Sequence, residues 1–144
     1  MEEKSENTQG LVEQVTISRM RRSLSQLDEN DRAKLGEALA GRRFVRILDE
    51  PPIFVYLGQD EDYVLIKDTF CSCNGFFIQV LGEGRKSHCS HLAALHNIGN
   101  NYIDLSGRLG LEEVFTVLLE VLYNNRSKTV RRMVYGTEEP ERSA

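Results

Sequence analysis

The chain has 144 residues, of which 40% are hydrophobic and 28% are charged, and its formal net charge at pH 7 is −4. This length fits one domain that buries most of its apolar surface, and the composition is that of an ordinary globular protein. The negative charge argues against a protein that coats nucleic acid with its whole surface. No run approaches the roughly 18 apolar residues of a membrane span, and the segment "MEEKSENTQG" lacks the charged-then-apolar pattern of a secretion signal. We therefore expect a soluble, intracellular protein.

Both ends of the chain are polar and offer no apolar side chains that could anchor them. Residues 1–10 and residues 136–144 are rich in acidic and small polar residues, so we expect both ends to be disordered. Residues 11–135 between them are predicted to form a single domain.

The first part of this domain is predicted to be helical. Four apolar residues recur at helical spacing: Ile17, Met20, Leu24 and Leu27. A second, short helix should follow, with Asp28 or Asn30 as its N-cap and Gly41 at its end.

The middle of the chain changes to the pattern of short strands. The runs "RFVRILDE", "IFVYLGQD" and "DYVLIKD" are rich in β-branched and aromatic residues. They are separated by Pro51-Pro52 and by a turn-prone, Gly- and Asp-containing segment, which favours an antiparallel meander or hairpin. The overall prediction is an α+β fold, in which a small antiparallel sheet or hairpin carries a zinc site between N-terminal and C-terminal helices.

Every cysteine and histidine of the chain falls in residues 69–96. Within this stretch Cys71 and Cys73 form a C-x-C pair, and after fifteen intervening residues Cys89 and His91 form a C-x-H pair. Three thiolates and one imidazole are a tetrahedral ligand set of the kind that zinc takes in structural sites, and they leave no open position for a catalytic water. We predict one structural zinc ion per chain.

The spacing of the ligands agrees with this interpretation. In an extended segment the side chains of Cys71 and Cys73 project to the same face, so both can reach one ion. Cys89 and His91 lie where the segment "HLAALHN" is expected to begin a helix that closes near Gly99. A metal ion would therefore join the end of the sheet to this helix.

Other interpretations of the same residues remain open. Lone cysteines are often buried hydrophobes, and a redox pair at Cys71 and Cys73 is conceivable, although the usual dithiol motif has two intervening residues. His88 and His96 compete with His91 as the fourth ligand. Motif spacing favours His91, because His88 would point elsewhere on an extended segment and His96 lies more than one turn along the helix.

The fifteen-residue insert between the two ligand pairs contains an apolar run. Its members are Phe76, Phe77, Ile78, Val80 and Leu81. We expect most of them to pack beneath the zinc site, with the alternative that one or two project outward and anchor a partner. The "GEGRK" segment that follows lacks the spacing of a phosphate-binding loop and is interpreted as a turn.

The segment "GLEEVFTVLLEVLYNN" is predicted to be a longer helix that is apolar around most of its circumference. Its polar residues occupy only a narrow line: Glu113, Thr116, Glu120 and Asn124. A small domain usually covers one face of a helix, so the excess apolar surface is best explained by a second chain. That chain could be another copy, giving a homo-oligomer, or a different protein; alternatively, the N-terminal helices wrap the helix completely.

Basic residues gather in three places, which could contact phosphates if they shared a face. The arginines and lysine concerned are Arg19, Arg21, Arg22, Arg42, Arg43, Arg46, Arg126, Lys128, Arg131 and Arg132. Without a base-reading motif or a ladder of stacking aromatics, we expect at most weak, sequence-neutral contact with single-stranded DNA.

The order C-x-C then C-x-H is similar to the SWIM zinc finger. Within that group, "FCSCNGFFIQVL" followed by "HCSHLAAL" resembles the small SWIM proteins of the Shu complex. The resemblance covers about residues 70–95 and implies that Cys71, Cys73, Cys89 and His91 are the zinc ligands. Outside this region, the chain resembles these proteins only in having N-terminal helices and a long C-terminal helix.

The resemblance also implies a function. Members of that family are non-enzymatic partners of RecA-like recombinase paralogues and act in homologous recombination and DNA repair. We therefore expect a zinc-stabilised adaptor, cytoplasmic in a prokaryote or nuclear in a eukaryote, that binds such a paralogue through the apolar surface of its C-terminal helix. The alternative is a nucleic-acid-binding zinc protein. No membrane and no small-molecule substrate are expected, and no arrangement of residues typical of an enzyme stands out.

Overall fold

The computed structural model describes residues 26–84 and 86–136. The two ends predicted to be disordered, apart from Gly136, and the helical pattern predicted from Ile17 to Leu27, apart from its last two residues, lie outside these residues. Leu27 is described and is not helical. The helices are α1 Glu29–Gly41, a π-helix Phe76–Gly82, α2 Ser90–Asn97, α3 Leu111–Asn124 and α4 Lys128–Tyr135. The strands are β1 Phe44–Leu48, β2 Ile53–Leu57, β3 Asp62–Ile66, β4 Phe70–Cys71 and β5 Ile103–Asp104.

The predicted α+β fold is confirmed. The strands form one five-stranded sheet in the order β4, β3, β2, β1, β5. The pairs β1–β2, β2–β3 and β3–β4 are antiparallel, as expected, but β5 pairs with β1 in parallel, so the sheet is mixed. The central strand β2 is buried at all five positions because both faces of the sheet are covered.

Alternate residues of the strands divide the apolar interior into two cores, one on each face of the sheet. One core holds Phe44, Tyr56 and Leu65 together with the buried residues of α1 and α2. The other core holds Val45 and Val55 with the buried residues of α3 and α4. This separation follows from the alternation of side chains along a strand.

Helix α1 begins where the sequence predicted. The carboxylate of Asp28 accepts a hydrogen bond from the backbone N–H of Asp31 at 2.8 Å. The Asp31 carboxylate accepts in return from the Asp28 N–H at 3.4 Å, which completes a capping box. The helix ends at Gly41, after which Arg42 adopts the left-handed conformation.

A buried ion pair fixes α4 to the sheet. Arg131 of α4 donates through Nε to Asp62 of β3 at 2.9 Å and through Nη2 to the same carboxylate and to the carbonyl of Gly58. Neither side chain of the pair is exposed to solvent. Asp62 also accepts from the backbone N–H of Ser127 at 2.9 Å. The interpretation of Arg131 as a surface residue that contacts DNA is therefore wrong.

Within the described part of the chain, no helix combines the length and the apolar character that crossing a bilayer requires.

Candidate metal centre

The structure brings Cys71, Cys73, Cys89 and His91 together in one buried cluster. Each residue offers one ligand atom, and these atoms all lie within 4.8 Å of one another. All four residues are buried. They are therefore close enough to hold one metal ion between the sheet and α2.

The C-x-C pair is positioned by the end of the sheet. Cys71 is the last residue of β4 and lies opposite Leu65 of β3 in the antiparallel register. The next residue, Ser72, donates its backbone N–H to Val64 at 2.9 Å and accepts from the Val64 N–H at its side-chain oxygen. These bonds extend the strand-like geometry beyond Cys71, so that Cys73 follows it on the same side.

The second pair is positioned by the start of a helix. Cys89 is the N-cap of α2 with an extended backbone, and its carbonyl accepts from the N–H of Ala93 at 3.1 Å. His91 lies in the first turn of the same helix. The apolar residues Leu92 and Leu95 bury α2 against the sheet, which holds both ligands at its beginning in place.

Two tyrosines of the sheet cover the imidazole of His91. The ring of Tyr56 lies edge-on to it with centroids 5.0 Å apart, and the ring of Tyr63 is tilted over it at 4.6 Å. Burial raises the pKa of both phenols to about 12, so both remain neutral at physiological pH. These rings shield the cluster from water without adding charge.

The three thiols compete for protons at this site. Burial raises the pKa of the Cys71 thiol well above its usual range, while hydrogen bonds from Cys71 and Cys89 lower the pKa of Cys73 well below it. Ionising all three would require a bound cation, because three buried negative charges repel one another.

The donor set fits a metal ion in two further respects. Nδ1 of His91 is buried and has no hydrogen-bond partner among the described residues, a condition that costs free energy unless a ligand completes the site. In a tetrahedral site with metal–sulfur bonds of about 2.3 Å, two sulfurs lie about 3.8 Å apart. A cluster within 4.8 Å therefore needs only a small contraction to bind an ion.

The other two histidines have carboxylate partners outside the cluster. Nε2 of His88 lies 3.1 Å from the buried carboxylate of Asp31 in α1. Nδ1 of His96 lies 2.8 Å from the carboxylate of Asp68, in the turn between β3 and β4. Both rings therefore help to hold α2 and the residues just before it in place. The sequence alone gave no signal for either carboxylate partner.

We predict that His88→Ala and His96→Ala retain one metal ion per chain. His88→Ala leaves the buried Asp31 without its ring partner, so its free energy of unfolding should fall by about 1–3 kcal/mol. His96→Ala should cost less, because its hydrogen-bond contact with Asp68 is partly exposed. Metal analysis and thermal denaturation of both variants check this, and loss of the ion from either folded variant would contradict it.

Some apolar residues of the insert pack beneath the cluster and others project outward, so each of the two expectations holds for part of the insert. Phe76 is buried and packs with Phe70, whereas Phe77, Ile78 and Leu81 are exposed. We call these three exposed residues the insert surface. The first helical residue of the insert contacts the cluster directly, because the backbone N–H of Phe76 donates to the sulfur of Cys73 at 3.3 Å.

The long helix α3 is covered on one side only by the described residues. Val114, Val117 and Val121 are buried against the sheet. Five large hydrophobic residues of the same helix are exposed: Leu111, Phe115, Leu119, Leu122 and Tyr123. The excess of apolar surface expected from the sequence is therefore present on the described part of the chain.

Most of the described arginines in the basic clusters have partners within the chain. Arg46 forms ion pairs with Asp49 and Asp104, and Arg43 donates to the carbonyl of Leu57 at 3.0 Å. Arg131 is buried, as shown above, and the cluster around Arg19 lies outside the described residues. The ion pairs of Arg46 and the burial of Arg131 beside Asp62 reduce the positive charge that the described surface offers to phosphates.

Comparisons with protein-family models, with curated proteins and with solved structures find no match to this chain. The resemblance to SWIM zinc fingers therefore rests on the order and spacing of the four ligands and the residues around them.

Proposed function

We propose that this chain is a zinc-stabilised, non-enzymatic adaptor that binds a RecA-family recombinase paralogue and supports homologous recombination and DNA repair. The observation that carries the adaptor function is the combination of a closed, buried set of four ligands with large exposed apolar residues elsewhere. A filled tetrahedral shell stabilises a fold and leaves no position for a substrate.

Zinc is the metal that this donor set favours. Three thiolates and one imidazole are soft and borderline donors, and a tetrahedral sulfur-rich site is typical of structural zinc. Cys71, Cys73, Cys89 and His91 would hold the ion, which supplies positive charge that keeps the thiolates ionised. The ligands come from β4, from the start of the insert and from the beginning of α2, so an ion bound to them would connect these three parts of the chain.

Exposed apolar side chains at two separate places support a role in protein binding. The insert surface lies on the face of the sheet that carries the cluster, and the exposed residues of α3 belong to the element on the opposite face. Large hydrophobic groups that cluster on a surface are typical of partner sites. The identity of the partner as a recombinase paralogue comes from the resemblance of the zinc motif.

The alternative function is direct binding of single-stranded DNA through the arginine clusters. It would need exposed cations without partners, and Arg43, Arg46 and Arg131 have partners within the chain. DNA contact in the adaptor is therefore expected to be weak, with affinity that falls as salt increases.

A binding experiment tests the proposal. Zinc-loaded protein is titrated against the purified RecA-family paralogues of its own organism, and we expect one of them to bind. Phe115→Glu in α3, the helix to which the sequence assigned this contact, and Ile78→Glu in the insert surface are the two test variants. At least one of them should weaken this binding at least about tenfold, because it places a charge in an apolar contact. Leu39→Glu, at an exposed leucine of α1, is the control and should leave binding unchanged.

Two outcomes would contradict the proposal. One is the failure of every paralogue to bind the zinc-loaded chain. The other is tight, sequence-selective binding of single-stranded DNA at physiological salt, which would instead identify a nucleic-acid-binding protein. Zinc content and melting temperature, measured for each variant, distinguish a variant that has lost only its binding surface from one that no longer folds.

A further inference from the structure

The exposed apolar residues of α3 form a continuous strip along the helix. Leu111, Phe115, Leu119 and Leu122 follow one another at intervals of four, four and three residues, which keeps them on one side of a helix. Tyr123 extends the strip at its C-terminal end. Leu111 is 76% exposed and Tyr123 is 80% exposed, so residues 26–84 and 86–136 leave the strip open from one end of the helix to the other. We call these five residues the α3 strip.

The size of the α3 strip is at the upper end for a soluble monomer. From their exposed fractions, these five side chains present roughly 500–600 Å² of surface, mostly apolar, and patches of this size often have a binding function. Two such surfaces facing each other would bury at most about 1,000–1,200 Å², which is the size of a weak or transient interface. This area suits a weak, concentration-dependent association.

The strip is complementary to a second copy of itself that runs in the opposite direction. If a two-fold axis passes beside Leu119, residues equally distant from it on either side face each other across the interface. Phe115, four residues before Leu119, then meets Tyr123 of the second copy, four residues after it. Aromatic rings thus face each other on both sides of a central pair of leucines.

The charges at the ends of α3 are complementary in the same arrangement. The first turn carries Glu112 and Glu113, and the chain that leaves the helix carries Arg126 and Lys128. Antiparallel packing places the acidic end of one copy beside the basic end of the other, whereas parallel packing places like charges together. Glu112 and Lys128 are exposed, and neither forms an ion pair within the described part of one chain.

We propose that two copies of this chain associate by antiparallel packing of their α3 strips around a two-fold axis at Leu119. This dimer does not depend on the proposed recombinase partner. It leaves both insert surfaces uncovered, because the insert packs with the core on the other face of the sheet.

The first test is the mass of the zinc-loaded, full-length protein as a function of concentration, measured by sedimentation equilibrium. We expect a reversible rise from monomer to dimer. Leu119→Glu should raise the dissociation constant at least about tenfold, because it places two carboxylates together at the axis. Leu39→Glu is a matched control, because Leu39 and Leu119 are both 40% exposed but lie on helices of opposite faces.

The second test addresses the antiparallel arrangement and does not depend on how well Leu119→Glu folds. Glu112→Arg and Arg126→Glu should each weaken the dimer, and the combined variant should restore it, because residue 112 of one copy lies opposite residue 126 of the other about an axis at Leu119. The proposal is overturned if the wild-type chain stays monomeric at all concentrations or binds only a different protein through α3. It is equally overturned if Leu39→Glu disrupts association as much as Leu119→Glu, or if the combined charge variant fails to recover.

Discussion

Cys89→Ser is expected to release the metal ion and to lower the melting temperature by roughly 10 °C or more. Serine cannot replace a thiolate as a zinc ligand, and the remaining Cys71, Cys73 and His91 would leave an incomplete, buried set of donors. Binding of a structural metal is itself folding free energy, so its loss should loosen the core between the sheet and α2. Metal analysis of the purified variant and thermal denaturation measure both effects.

Ser90→Ala is the control for this variant. Ser90 is the first residue of α2, between Cys89 and His91, and is half-buried. Alanine has a high helix propensity, so the control should keep one metal ion and nearly unchanged melting. Stoichiometric zinc and unchanged melting in Cys89→Ser would refute the assignment of the cluster.

Asp62→Ala is expected to lower the free energy of unfolding by about 3–5 kcal/mol. The change leaves the guanidinium of Arg131 buried without a counter-charge and removes the acceptor of the Ser127 N–H. Neither side chain of the original pair reaches solvent, so water cannot replace the lost carboxylate without opening the protein. Urea denaturation followed by circular dichroism measures the change.

The ion pair between Arg46 and Asp104 provides a comparison at the surface. Asp104→Ala removes one partner of this exposed pair and should cost less than about 1 kcal/mol, because solvent screens the charge that remains. Replacing both buried partners, as Asp62→Leu with Arg131→Met, should recover much of the loss, since no unpaired charge stays inside. If Asp62→Ala costs no more than Asp104→Ala, burial of the pair does not matter for stability.

Features encoded by neighbouring residues were predictable from the sequence. The capping box of α1 depends only on Asp28 and Asp31, and β1, β2 and β3 follow their β-branched runs closely. The cluster of three cysteines and His91 is also short-range, because a strand end and a helix start separated by one insert bring them together. Each of these features can be derived from spacing and local chemistry.

Features that depend on distant partners were not predictable in this way. Strand β5 consists of only Ile103 and Asp104, and nothing in those residues indicates that they pair with β1 in parallel. Arg131 belongs to a run of basic residues that looks like solvated surface. Its partner Asp62 lies 69 positions earlier, so the sequence gives no sign that the arginine turns inward.

The apolar run of the insert could be recognised from the sequence, but the environment of each of its residues could not. Its composition is equally consistent with a small core and with a binding surface, and the choice depends on how the helix is oriented. In the π-helix Phe76 points into the core near Cys73, while Phe77 and Ile78 point outward. Neighbouring side chains of similar hydrophobicity thus have different environments, which periodicity alone does not distinguish.

Two sites hold helices to the sheet, namely the metal cluster and the buried ion pair of Arg131 with Asp62. The residues of these two sites are synthesised at different times. All four residues of the cluster fall within residues 71–91, whereas the arginine that fixes α4 comes 69 positions after its aspartate. The N-terminal part of a chain leaves the ribosome first, so all four ligands are outside it before α3 and α4 emerge. Metal can therefore bind to the nascent chain at this stage, and the buried ion pair forms only after α4 has emerged.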